Sequence, residues 1–144
     1  SECLVGSEMC IRDSSASYQR MLTGVSYFHD WYLKDLYVSN TGKEIHEVSK
    51  NGYTTIQLEM CTGDNEISYL LMFINASALQ VQMETAPDDV SKLSFTNFGR
   101  CYTYNIEQNG KAQKHTMIFE GDACISITCG KVKYKKIYNT HIFI

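Results

Sequence analysis

The sequence predicts an all-β fold in which eight antiparallel strands form an up-and-down barrel, preceded by a short N-terminal helix. Apolar and polar residues alternate with a period of two along much of the chain, which is typical of half-buried strands. Turn motifs such as Asn109-Gly110 and Glu120-Gly121-Asp122 separate these segments. Strands joined by tight turns are antiparallel neighbours, because parallel strands need long crossovers. Eight such strands stack as a sandwich or close into a barrel, and we expect the barrel because closure removes exposed edges.

The composition excludes several classes of protein. The chain has 144 residues, of which 44% are apolar, and this is enough for one domain with a buried core rather than a disordered chain. The formal net charge of −3 argues against nucleic acid as a partner, since phosphate binding needs a basic surface. No apolar run approaches the ~20 residues of a membrane-spanning helix. We therefore expect a monomeric domain without a nucleic-acid or membrane partner.

The first residues of the chain do not fit the rest of it. Residues 4–14 read LVGSEMCIRDS, which resembles the conceptual translation of a sequencing adapter. Scars of this kind are set aside from fold reasoning, the alternative being a genuine N-terminal arm. We interpret residues 1–14 as a non-native scar and residues 15–144 as a single domain.

The elements follow from local pattern. A short helix is predicted over 15–22, where Tyr18, Met21 and Leu22 fall on one side, and Gly24 stops it. The segment 54–60 alternates, and the segment 67–74 is continuously apolar, as in a strand covered on both faces. The predicted strands are 31–39, 53–61, 67–74, 78–85, 90–96, 100–107, 113–120 and 124–129, with 131–138 as a candidate ninth.

Four cysteines lie outside the N-terminal scar: Cys61, Cys101, Cys124 and Cys129. An even number of cysteines in a small chain is typical of an oxidising compartment, so we expect disulfides and an extracellular, secreted protein. Metal binding is the rival interpretation, but zinc sites favour close Cys or His pairs, and no His lies near these cysteines. We therefore predict no metal. The sequon Asn75-Ala76-Ser77 permits glycosylation of Asn75 in a secreted chain.

Enzymatic activity finds little support in the residues. A nucleophilic triad needs a Ser or Cys together with a His and an acid, and the histidines of this chain are scattered without a GxSxG-like turn. His29-Asp30 could serve acid–base chemistry, but we prefer to interpret the pair as a polar turn before Trp31. Phosphate-cradling loops are also missing. We predict no catalytic residue and no cofactor.

The order of the elements resembles a known family. A short helix precedes a strand bearing Trp31-Tyr32-Leu33, and seven further predicted strands come after it, as in the lipocalins. The run IFEGDACISITC over 118–129 resembles the late strand of divergent tick salivary lipocalins, a group that includes histamine-binding proteins. His29 stands where the family's Gly-x-Trp motif has Gly, and the family's later helix and terminal cysteine are missing, so we interpret 131–144 as a truncated or misread end. The resemblance, which spans 16–130, implies a secreted barrel of tick saliva with a small ligand in its cavity.

Aromatic strand residues are the candidates for ligand binding. Aromatic side chains make up 12% of the chain, and tyrosine lines pockets well because its hydroxyl can find a partner. A cationic amine would also need a carboxylate, which Asp35 or Glu59 could supply, although the alternation around Glu59 favours a solvent-facing side chain. A fatty acid or eicosanoid-like lipid would use apolar strand faces instead. The predicted ligand-binding residues are Trp31, Leu33, Asp35, Tyr37, Glu59, Tyr69, Phe73, Tyr102 and Tyr104.

Two functions stay open at this point. The first is a secreted protein that sequesters a biogenic amine or an amphipathic lipid in a barrel cavity. The second is a secreted interaction module that acts on host or immune proteins through its loops and has a filled core. A ligand-sized cavity with aromatic lining would favour the first function, and a packed interior would favour the second.

The expected strand order constrains the disulfides. Successive strands of an up-and-down barrel run in opposite directions, so strand ends alternate between the two rims. Cys61 and Cys129 then share one rim, and Cys101 and Cys124 share the other. Because bridged Cα atoms lie within about 7 Å, we predict the pairs Cys61–Cys129 and Cys101–Cys124.

Overall fold

A computed structural model describes residues 11–12, 15–40, 54–82 and 98–139 of the chain. The predicted strand 90–96, residues 83–85 and Tyr53 lie outside the described residues. The fold is mostly β with one short helix, as predicted. The elements are β1 (Ile11–Arg12), α1 (Ser15–Gly24), β2 (Tyr32–Asn40), β3 (Thr54–Cys61), β4 (Ile67–Ile74), β5 (Ala78–Gln82), β6 (Cys101–Asn109), β7 (Ala112–Phe119), β8 (Cys124–Cys129) and β9 (Lys131–Tyr138).

The strands form two antiparallel sheets and not the predicted closed barrel. The first sheet has the order β1-β9-β4-β3-β2, and the second has the order β5-β8-β7-β6. The chain also departs from the predicted meander, because β4 pairs with β3 and β9 while β5 pairs with β8. The predicted ninth strand is therefore an interior strand of the first sheet.

A corner between β4 and β5 is the physical reason for this difference. Asn75 has a φ of 56°, which turns the chain out of the first sheet without a hairpin. The amide of Ser77 then donates to the carbonyl of Thr128 at 2.9 Å, at the start of the second sheet. The chain also turns between β8 and β9, which pair with β5 and β4, and there Gly130 N donates to Ile74 O at 2.9 Å. Strands β4 and β5 thus form one bent ribbon, and strands β8 and β9 form a second one that pairs with it. Each ribbon has one strand in each sheet.

At the other side, one isolated bridge links the edge strands of the two sheets. Tyr32 of β2 pairs with Arg100, and Cys101 N donates to Trp31 O at 2.7 Å. The guanidinium of Arg100 lies 3.2 Å from Glu120 Oε2 and 3.7 Å from Asp30 Oδ1. These contacts fix the start of β2, where Trp31 enters the interior.

The core lies between the sheets and beneath α1. Helix α1 has the predicted pattern, since Tyr18, Met21 and Leu22 are buried at helical spacing. The sheets contribute alternating inward side chains, as expected for strands with one face on the core. The largest fully buried side chains are Phe28, Phe73, Phe98, Phe119, Leu22, Ile56, Leu58, Met60, Leu71, Met117, Ile125 and Ile127.

Candidate functional site

Five of the predicted ligand-binding residues meet in the interior. Leu33, Tyr69, Phe73 and Tyr104 are at most 9% exposed, and Trp31 packs against them from the edge of the core. The ring of Trp31 lies 5.8 Å from that of Tyr69, centroid to centroid. These residues belong to an aromatic cluster in which the rings of Phe28 and Tyr104 are stacked and the other ring pairs are edge to face or tilted. Its members are Tyr18, Phe28, Trp31, Tyr69, Phe73, Tyr104, His115 and Tyr134.

Two predicted residues of β2 lie on the outer surface because of a β-bulge. The pairing register with β3 shifts between Leu33 and Asp35, so the inward parity changes and Leu36 packs against the core instead. Asp35 is exposed, and the side chain of Tyr37 is 51% exposed. An unbroken strand would place Asp35 and Tyr37 on the same face as Trp31 and Leu33, because alternate residues share a face. The bulge instead places them on the opposite face.

The two remaining predicted residues also lie away from the interior. A second register shift, between Cys101 and Thr103, makes Cys101 and Tyr104 the buried residues at the start of β6 and leaves Tyr102 48% exposed. Glu59 faces outward, where Lys34 Nζ lies 3.2 Å from its Oε2 atom. The structure thus brings neither predicted carboxylate to the aromatic cluster.

A chain of hydrogen bonds runs through the aromatic cluster. The hydroxyls of Tyr18 and Tyr104 lie 2.6 Å apart, and the Tyr104 hydroxyl lies 2.6 Å from His115 Nδ1. His115 Nε2 lies 2.9 Å from Gln113 Oε1. With that oxygen as acceptor, His115 donates from Nε2, Tyr104 donates to Nδ1, and Tyr18 donates to Tyr104. Every polar group of this buried chain has a partner, as stability requires.

Burial keeps this chain uncharged. Desolvation lowers the pKa of His115 to about 4, so its imidazole is neutral at physiological pH. Desolvation likewise raises the pKa of Tyr104 well above its ordinary value, and the neighbouring Tyr18 raises it further. Burial raises the pKa of Tyr18 as well, against the lowering effect of its hydrogen bond with Tyr104. The chain therefore supplies fixed dipoles and no charge.

Three members of this hydrogen-bond chain, Tyr18, Tyr104 and Gln113, reach the surface in a depression between α1 and β6. We call this depression the α1–β6 groove. It has a shallow part of about 390 Å³ and a smaller cleft of about 80 Å³. Gln19 and Ile106 line both parts, so the two parts adjoin. The lining residues are Ser15, Tyr18, Gln19, Tyr27, Tyr104, Asn105, Ile106, Gln108, Gln113, Lys131 and Val132.

The groove combines apolar surface with hydrogen-bonding groups. Tyr27 stands at its rim, where its hydroxyl donates to Gln19 Oε1 at 3.0 Å and its ring lies 6.3 Å from that of Tyr104. Ile106 and Val132 supply aliphatic contacts, and several amide side chains supply donors and acceptors. This arrangement can bind an amphipathic molecule through ring faces and polar ends.

Of the residues that line this groove, the sequence predicted only Tyr104 as a ligand-binding residue, and it did not identify His115 behind it. His115, Met117 and Phe119 alternate along β7 and are all buried, so the period of two was the signal that could have placed His115 inside. The hydroxyl contacts of Tyr18 with Tyr104 and of Tyr27 with Gln19 carry no comparable signal, because they depend on how α1 packs against the rest of the fold.

The four cysteines are free thiols in this structure. Cys101 and Cys124 pair with β7 from opposite sides, which separates them by two strand spacings, or about 10 Å. Cys61 lies opposite Ser68, while Cys129 lies beside the corner at Ile74, about 20 Å further along β4. Neither predicted pair lies within bonding reach. Strand β7 stands between Cys101 and Cys124, and the corner after β4 places Cys129 at the opposite end of that strand from Cys61.

Among the described residues, no group of three or more His, Cys, Asp or Glu side chains is placed to bind a metal. No helix in the described ranges is both long and apolar enough to cross a membrane. No family model matches the sequence, and no curated protein matches it either. The lipocalin resemblance therefore stays a prediction.

Proposed function

We propose that this protein binds and sequesters a small amphipathic molecule, a biogenic amine or a lipid, and that the α1–β6 groove is the binding site. The observation that carries the proposal is the meeting of that groove with the buried Tyr18–Tyr104–His115 chain. Its shallow part, of about 390 Å³, falls within the size range of small-molecule sites, about 300–1,000 Å³.

The hydrogen-bond chain prepares the groove for a ligand. Tyr104 is 4% exposed and bonded at its hydroxyl to both Tyr18 and His115, so its ring is fixed before any ligand arrives. A preformed wall reduces the entropy lost on binding, because fewer side chains must be ordered. The rim residue Tyr27 is 36% exposed and can contact a ligand directly.

A titration with a filled-groove variant tests this function. Histamine and dodecanoate, each up to millimolar concentration, are titrated into the protein by isothermal calorimetry. We expect saturable binding of at least one of them, and we expect Asn105→Trp to abolish it, because Asn105 is exposed and lines the groove. Thr103→Trp is the matched control, since Thr103 is also exposed on β6 but lies outside the lining. Absence of binding by both ligands, or equal loss in both variants, would contradict the proposal.

Secretion is part of the same proposal. It is supported by the sequon at Asn75. Asn75 and Ser77 are both exposed at the corner between β4 and β5, so the sequon is accessible to a glycosyl transferase. A lipocalin relationship and a monomeric state belong to the proposal too, on the strength of the sequence alone.

A protein-interaction module is the second candidate. It is favoured by the close packing of Leu33, Tyr69 and Phe73, which were predicted to line a cavity. Strand β2 also exposes Tyr37 and Val38, which are 51% and 49% exposed. Exposed aromatic and aliphatic side chains are common at protein interfaces. Failure of both ligands in the titration above would favour this candidate.

A further inference from the structure

We infer that the α1–β6 groove selects an anionic amphiphile, such as a fatty carboxylate, over a cationic amine, with Lys131 as the residue that contacts the acidic end. This inference rests on the proposed function. It is drawn from the charges of the lining, which contains one cation, Lys131, and no carboxylate among the described residues.

Lys131 is available to a ligand. It is exposed at the start of β9, where the chain leaves the corner at Gly130, and it forms no ion pair within the described ranges. Lys133 and Lys135 come next on the same strand face, since Val132 and Tyr134 between them are buried. Of these three lysines, Lys131 alone lines the groove, since Lys133 and Lys135 lie further along β9 and outside the lining.

The carboxylates nearest the groove lie outside its lining. Glu107 stands between the lining residues Ile106 and Gln108 on β6, and its partner in the strand register is Lys114. Glu59 pairs with Lys34 on the outer face of the first sheet. Glu120 and Asp30 both lie beside Arg100 at the bridge between the sheet edges. An amine in the groove would thus meet ring faces without a counter-charge, whereas amine recognition ordinarily combines aromatic faces with a carboxylate.

The rest of the groove suits the tail of such a ligand. From Asn105 to Gln108 the floor runs along β6 for about 10 Å, counted at the usual rise per residue. Ile106 and Val132 supply aliphatic surface along the cleft, and the ring of Tyr27 stands beside the shallow part. A chain laid along this floor extends from Tyr27 toward Lys131, so an acid at one end of the molecule meets the lysine.

A matched ligand series tests the inference. Dodecanoate, dodecanol and dodecylamine have the same chain and differ in the charge of one end. We expect dodecanoate to bind about tenfold more tightly than dodecylamine at low ionic strength, with dodecanol between them, and we expect added salt to reduce the difference. Lys131→Met should weaken dodecanoate about tenfold and leave dodecanol unchanged. Lys135→Met is the control, because Lys135 shares the strand face but not the lining.

The outcomes separate this inference from the function on which it rests. Equal binding of the three compounds, with no effect of Lys131→Met, would overturn the selectivity and leave the groove as a binding site. Tighter binding of dodecylamine would overturn it in favour of an amine site. If none of the three compounds binds, the inference fails, and the proposed function is then decided by the histamine titration.

Discussion

The buried His115 makes the stability of the fold dependent on pH in a predictable direction. The side chain is 2% exposed, and burial lowers its pKa to about 4, whereas the unfolded chain binds the same proton near the ordinary value of 6.5. Between these two values the unfolded state holds more protons than the folded state, so stability falls as the pH falls. Above pH 6.5 the contribution is constant, and below pH 4 both states are protonated and no further loss occurs.

The size of this loss is set by the two pKa values. From pH 7.5 to pH 4.5, a shift from 6.5 to about 4 removes about 2.5 kcal/mol from the free energy of unfolding. Carboxylates also titrate near the lower limit, so the informative quantity is the difference between the wild type and a variant that cannot titrate at this position. His115→Gln is suitable, because its amide oxygen can still accept from the Tyr104 hydroxyl.

Urea unfolding measures this difference directly. Trp31 is the single tryptophan of the chain and packs against the core, so its fluorescence reports loss of the interior. The free energy of unfolding of the wild type should fall by about 2.5 kcal/mol more than that of His115→Gln over this pH range. Parallel pH profiles for the two proteins would refute the reasoning, because they would show that His115 titrates alike in the folded and unfolded states.

Two further substitutions test other parts of the structure. Tyr104→Phe keeps the ring but removes the donor to His115 Nδ1. We expect it to lower the free energy of unfolding, measured in urea, by about 1–3 kcal/mol. A decrease below about 0.5 kcal/mol, which is typical of ordinary surface changes, would show that the hydrogen-bond chain contributes little. Gly99→Ala should lower the melting temperature more than Gly110→Ala, because both glycines have positive φ but only the Cβ at Gly99 would lie 2.4 Å from Glu120 Cγ. Calorimetric melting compares the two, and an equal or larger effect at Gly110 would be inconsistent with this contact.

Local pattern predicted most of the elements. The alternation over 54–60 and the apolar run over 67–74 correspond to β3 and β4, and the helix with Tyr18 and Met21 on its buried side is α1. These elements were predictable because the spacing of the apolar residues within each segment distinguishes a helix from a strand. The partners of each strand were not predictable in the same way. The corner at Asn75 looks like an ordinary turn in the sequence, yet it sends β4 and β5 to different sheets.

The candidate site was predicted less well, for two physical reasons. Single-residue bulges beside Leu33 and Cys101 reverse the inward parity of the later residues in each strand, and the sequence has no glycine or proline there to mark them. The groove itself lies between α1, which packs against β9, and β6, an arrangement of distant segments that no local pattern encodes. Tyr104 was among the predicted ligand-binding residues because it is an aromatic residue in a predicted strand. Its hydrogen-bond partner His115 was not predicted.

The corner shared by the bent ribbons couples the alignment of the two sheets. Hydrogen bonding continues through it, since Ala76 N donates to Thr54 O at 2.8 Å and Gly130 N donates to Ile74 O at 2.9 Å. A slip of one residue between β4 and β9 would therefore displace β5 against β8 as well, while turning buried side chains of β4 such as Leu71 and Phe73 toward water. Because every residue of β5 is exposed, the hydrophobic cost of a wrong alignment falls on the first sheet, and the register of β4 with β9 holds that of β5 with β8 in place.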